Sequence, residues 1–262
     1  MIHGDIPMSD VAAYLSHFGV KGMKWGVRNE PKQGRDITLA KNTKIYNISM
    51  NEQRSLDGAV YGAHKKRDVL NYRGTYAGNL LNFRGADKVF SNSFTVKKDV
   101  RAAGQIAQLE AFKTLWETDK DGVARALAES QKDMKFSAAF NARILKLDRE
   151  NVYHQRFMKK GDDWVNGKGF QEFTSSLGAE NDKSRSLFFS EMSKRGYNAV
   201  IDMNDVRNYG SEQPILVFKG SKNLKKDHVV ELTETDISKA LDAWYSRKIL
   251  DQYDLDTIHG TG

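Results

Sequence analysis

The chain has 262 residues, with 41 Lys or Arg against 34 Asp or Glu, a formal net charge of +7, and no cysteine. That length supports one large domain with appendages, and the missing cysteines exclude disulfides and thiolate-bound metals. The net charge favours acidic partners, nucleic acid or an acidic protein surface, yet charges of both signs alternate along the chain rather than forming one basic block. No run approaches the roughly 18 apolar residues of a membrane span, and no basic stretch followed by an apolar one marks a secretory signal.

Residues 1–41 read as an extended arm. Ser9 and Asp10 can cap a short helix through Leu15, because their side-chain oxygens satisfy first-turn amides. The segment His17-Phe18-Gly19-Val20-Lys21-Gly22-Met23-Lys24-Trp25-Gly26-Val27-Arg28 then places three glycines, three cations and two aromatics in twelve residues with no acid. Each glycine costs about 1 kcal/mol in a helix interior, so the segment is not a stable helix. Two readings stay open on physical grounds: a peptide that docks onto another protein, or a glycine-rich loop packed on the chain's own core. In the first, Phe18 and Trp25 are anchors and Lys21, Lys24 and Arg28 a cationic rim.

The same string, with its lead-in Tyr14-Leu15-Ser16, resembles a short signature carried near one end of many bacteriophage structural and minor head proteins. The resemblance implies a virion-associated protein whose arm meets a capsid, portal or scaffold protein. Its location would be the virion, or the host cytoplasm before assembly or after ejection.

A polar linker with Pro31 and Gly34 follows. Lys44–Ser49 alternates apolar and polar residues and predicts a strand, and Ala59–Ala63 a second. Asp68 is placed to cap a helix carrying Val69, Tyr72, Tyr76 and Leu80 on one face, against the disfavour of Gly74 and Gly78. Lys88–Val96 is β-like, and a helix is expected from about Val100 to Glu117. Val123–Leu147 and Arg149–Lys159 are helical in pattern, Gly161–Gly169 a loop, and Gln171–Leu177 a short helix.

Ser184 opens a helix over 185–195, ended by Gly196 in a left-handed cap. Tyr197–Asp202 is a strand, Asn204–Gln213 a turn, and Pro214–Phe218 a strand buried on both faces. A final helix begins at Thr233 or Thr235 with Ile237, Leu241, Trp244 and Ile249 on one face, and 251–262 reads as a tail. The expectation is an α+β domain over 42–250, with a mixed or antiparallel sheet and a large helical insertion at about 100–180.

The order of these elements, with Gly196-Tyr-Asn-Ala-Val-Ile-Asp202 and Pro214-Ile-Leu-Val-Phe218, is similar to phage-encoded domains of the ADP-ribosyltransferase fold over roughly 43–220. In such domains an arginine holds the NAD phosphates, a serine orients the ribose, and a glutamate stabilises an oxocarbenium-like transition state. Two placements are open. In one, Arg73 is the clamp, Ser91 or Ser93 the serine, and Glu212 the catalytic carboxylate, and the protein is an active NAD-dependent transferase that modifies host proteins. In the other, which the secondary-structure pattern favours, Asn47 stands where the arginine belongs. The bidentate cationic fork that suits a pyrophosphate is then missing, the body is catalytically degenerate, and no cofactor is expected.

Other chemistry has little footing. Glu212 alone reads as a solvated turn residue, and Asp202, Asn204 and Asp205 read as a turn capped through backbone amides rather than a cation loop. His17, His64, His154, His228 and His259 show no zinc-type spacing, so no metal is expected. Gly19, Gly22 and Gly26 follow no strand and lack the closing Gly-Lys-Ser/Thr of a phosphate loop. The basic runs Lys65–Arg67 and Lys219–Lys226 read as solvated surface, with a weak nucleic-acid contact as the further expectation from net charge.

Overall fold

The computed structural model describes residues 34–52, 55–132, 148–178 and 182–259. The segment expected to dock, with Phe18, Lys21, Lys24, Trp25 and Arg28, lies outside these residues, as does 133–147 of the helix expected over 123–147.

The architecture is α+β, with one mixed and one antiparallel sheet. Five strands, β1 (Ile37–Leu39), β5 (Val100–Ala103), β6 (Ala199–Ile201), β7 (Ile215–Val217) and β3 (Val60–Gly62), lie in that order. All their pairings are antiparallel except β5 with β6. A second sheet orders β2 (Lys44–Ser49), β4 (Phe90–Val96) and β8 (Leu224–Glu231), all antiparallel. A bridge between Tyr46 and Ala63 joins the two sheets. Gly62 permits that junction: a Cβ there would come within 2.3 Å of Ile45 Cγ2.

Helices fill the connection between the parallel neighbours β5 and β6: α3 (Gln105–Thr118), α4 (Lys120–Lys132), α5 (Arg149–Met158), α6 (Asp162–Trp164), α7 (Phe170–Gly178) and α8 (Asp182–Lys194). Their apolar faces form one core with the five-stranded sheet. Phe112, Phe157, Phe173 and Phe188 are all buried there, with Phe112 and Phe173 centroids 5.0 Å apart. Each such ring contributes about 1.5–3 kcal/mol by leaving water.

A smaller apolar cluster lies elsewhere. It is built from Ile48, Tyr72, Ala77, Leu80 and Ile237, with Val69 packed against them, on β2, a π-helical turn (Tyr72–Tyr76), α2 (Ala77–Arg84), the last helix, α11 (Glu234–His259), and, for Val69, α1 (Lys66–Asn71). Gly74 lets α11 cross the π turn closely, since a Cβ would meet the Leu241 backbone at 2.8 Å.

Several sequence expectations need correction. Val100–Ala103 is a strand, not the start of a helix: Val100, Ala102 and Ala103 are wholly buried in the sheet, and the helix begins only after Gly104. The stretch 161–169 is helical rather than a loop. It carries α6 and a second π turn, Val165–Gly169, because Trp164 packs against Trp116 at 4.9 Å and Val165 is buried. The expected turn 204–213 holds a short helix, α9 (Met203–Tyr209). Strand β8, in a run read as solvated lysines, is held by its ladder with β4. Strand β1 falls within the stretch read as arm, and α11 continues through residues set apart as a tail. Gly196 does take a left-handed φ of +83° after α8.

Candidate functional site

Of the residues proposed for chemistry, Glu212 lies at a junction where α1, the π turn, α9 and the segment before β7 come together, while Arg73, Ser91, Ser93 and Asn47 have their partners elsewhere. Asp68 does not cap its own helix, whose N-cap is Lys65. It lies in the first turn of α1, and its two carboxylate oxygens accept the backbone N–H groups of Glu212 at 2.7 Å and Gln213 at 2.9 Å. This clamps the segment leading into β7 across 144 residues of sequence. Burial raises the Asp68 pKa, and the two amide bonds oppose that.

Glu212 pairs with Arg67, Nη1 to Oε1 at 3.2 Å, with both side chains about a quarter exposed. Arg73 points elsewhere: its Nη2 donates to Ser91 Oγ at 3.3 Å, and its guanidinium lies 5.6 Å from the Tyr46 ring centroid. Ser93 Oγ donates to the His228 carbonyl at 3.2 Å. Arg73 therefore contacts one of the two candidate serines, while Glu212 contacts a different arginine. Asn47 is buried, and its Nδ2 donates to the Tyr61 carbonyl at 3.0 Å.

A set of buried acids that sequence reasoning gave only a capping role completes the junction. Asp202 Oδ1 caps α9 by accepting from Asn204 N at 2.9 Å and Asp205 N at 3.4 Å, the amide capping expected of that turn. Asp205 accepts a short hydrogen bond from the Tyr72 hydroxyl. Burial, then the neighbouring Asp202 charge, pushes the Asp205 pKa up to about 7, against the Tyr72 bond that lowers it. Burial likewise raises Asp202.

Tyr61, raised first by burial and then by Asp202, donates to the Leu177 carbonyl at 2.8 Å and accepts from Arg185 Nη2 at 2.9 Å. Arg207 Nη2 donates to Thr174 Oγ1 at 3.0 Å. Tyr72 at a π turn and Asp205 on a helix read as a turn are separated by 133 residues, and no local spacing joins them. The signal present in the sequence was only the density of acids at 202–205.

Chemically the junction is a latch whose carboxylates accept hydrogen bonds from the chain itself, with the pKa of Asp68, Asp202 and Asp205 raised by burial. Among the described residues, one surface hollow of about 600 Å³ runs along α5 by Asn151, Gln155 and Lys159, and another of about 420 Å³ by Lys168, Gln171 and Ser175 borders the side chain of Arg207. No group of three or more potential metal ligands exists among the described residues, and no helix there is long and apolar enough to cross a membrane. His64, pushed down to about 4 first by burial and then by Lys65, is held neutral.

Comparison with known proteins touches the N-terminal residues alone. Residues 8–32 match a family model described as a family of unknown function (DUF7211). No curated protein matches the chain. No solved structure matches it either.

Proposed function

We propose that this chain is a bacteriophage virion-associated protein of the minor head or internal class, addressed to the head by residues 17–28, with an ADP-ribosyltransferase-like body that is catalytically degenerate. The observation that carries it is the segment His17–Arg28 itself, with its phage-signature composition of aromatic anchors and cations between glycines. The family match over 8–32 supports treating the segment as a unit in its own right, since it encloses the string and ends before the described residues begin at 34. Support for the degenerate body comes from the engaged partners: Arg73 sits in a helical turn bonded to Ser91, and Glu212 is paired with Arg67.

Co-expression with the phage head proteins tests the address. Full-length chain enters particles, while a 29–262 truncation and Trp25→Ala fall by tenfold or more, the loss of an anchor of about 2 kcal/mol. Equal incorporation of the truncation overturns the docking role. Incubation with labelled NAD and host lysate tests the body: no label is transferred, and transfer that Glu212→Ala abolishes would make the protein an active transferase.

A further inference from the structure

The three-stranded sheet is electrically lopsided. At one end, the turn into β2 carries Lys41, β2 begins with Lys44, and the β4–β5 connection carries Lys97 and Lys98. Helix α10 (Gly220–Asn223) with the residue before it, and the start of β8, bring Lys219, Lys222, Lys225 and Lys226 to the same end.

Backbone pairing fixes this gathering. Asn42 N bonds to Val96 O at 2.8 Å, Lys97 N bonds to Asn223 O at 2.9 Å, and Thr95 stands opposite Lys44 on one side and Lys225 on the other. Two strand spacings of about 4.8 Å put Lys44 and Lys225 about 10 Å apart across the sheet.

Within segments 40–44, 96–99 and 219–227, eight lysines face two aspartates, and all the lysines but Lys226 are exposed. Both acids are engaged: Asp227 with Lys44 at 2.7 Å, and Asp99 with the Lys41 amide at 2.8 Å. Asp57, on the loop bonded to Gly220 and Ser221, adds a third. The opposite end is balanced, with Lys88 paired to Glu231 at 3.0 Å.

We infer that this lysine end is a binding surface for the phosphate backbone of duplex DNA. Lysines are mobile point charges that hold phosphates without reading bases. A protein partner instead favours aromatic and arginine anchors in a desolvated centre, and the exposed large apolar residues Met50, Phe83, Ile106, Val152, Val230 and Tyr245 lie outside these segments. The inference stands on this charge geometry and does not depend on the particle reading.

Fluorescence anisotropy of the full chain with a short labelled duplex tests it over about 50–200 mM salt. The triple variant Lys97→Glu, Lys98→Glu, Lys225→Glu weakens binding at least about tenfold and flattens the slope of log K against log salt by about 3, the share of three lost phosphate contacts. Lys65→Glu with Lys66→Glu, in the other basic run, leaves both within about twofold, and the arm cations are unchanged in either variant. Should the reversed triple lose its cooperative melt, the Gln triple takes its place with the same direction expected. No salt-dependent binding by the unaltered chain, an equal loss in both variants, or displacement by polyglutamate at equal charge overturns the inference. Particle incorporation is scored separately, so failure of the address leaves this result intact.

Discussion

Strands β6 and β7 read Ala-Val-Ile and Ile-Leu-Val and are buried throughout. Strand β4 is almost as buried, yet at its centre it carries Ser91, Asn92 and Ser93. The first pair gains stability simply by leaving water. The second has to satisfy polar groups inside, and does so unevenly: Ser93 bonds to the His228 backbone at 3.2 Å, whereas neither amide atom of Asn92 has a partner among the described residues. Equal burial therefore carries different energies in the two sheets. The central strands of the five-stranded sheet are apolar throughout, whereas the three-stranded sheet, which also sends Ile45, Phe94, Val96 and Leu224 into the core, buries polar side chains beside them.

The contrast can be broken in order of effect. Leu216→Ala, in a strand with no exposed residue, is expected to cost about 2–5 kcal/mol in urea unfolding, the transfer loss plus the cavity.

The acid latch where α1, the π turn and α9 meet comes next. Asp205 holds its proton up to about pH 7 in the folded chain, well above an unfolded aspartate near 3.9. Its contribution to stability is thus fully present below about pH 4 and is lost as pH rises toward 7. Asp68 and Asp202, also raised, act in the same sense. Asp205→Asn should reduce the fall in stability between about pH 4 and pH 8 by on the order of 2 kcal/mol, read from melts across pH. An unchanged pH dependence would show that Asp205 ionises normally in the fold.

Tyr72→Phe removes the donor to Asp205 and is expected to cost about 1–2 kcal/mol at pH 8, less at pH 5 where the carboxyl is protonated. The smallest effect sharpens the comparison most. Asn92→Leu, as deeply buried as Leu216, should stay within about 1 kcal/mol of neutral or stabilise, because no hydrogen bond is lost and a desolvated amide is removed. A cost like that of Leu216→Ala would mean that Asn92 holds a partner of its own, such as a buried water.

How much was legible follows the range of the interactions. The apolar strand 214–218 and the helix ended by Gly196 announced themselves through neighbouring residues. The final helix did the same through Thr233, whose hydroxyl accepts the Asp236 amide at 3.1 Å while the Asp236 carboxylate accepts the Thr233 amide at 3.0 Å, a reciprocal cap written within four residues. The junction was not legible in this way. Asp68 has the type and position of a cap, and only the approach of residues 212 and 213 turns it into a clamp. Nothing local distinguishes Arg67 from Arg73 as the partner of Glu212.

The lysines at 41–44, 97–98 and 219–226 read separately as ordinary surface, because their common end exists only once β2, β4 and β8 pair. By itself the sequence determined the α+β class, the buried character of β7, the left-handed cap at Gly196, the reciprocal cap at Thr233, and the composition of the segment 17–28. Each rests on side chains within a turn or two of one another. The tertiary structure alone decided that 100–103 is a strand, that 161–169 is helical, which arginine meets Glu212, and where the positive charge collects. Those outcomes depend on pairings between residues often more than a hundred apart, whose energies appear only when the chain has closed.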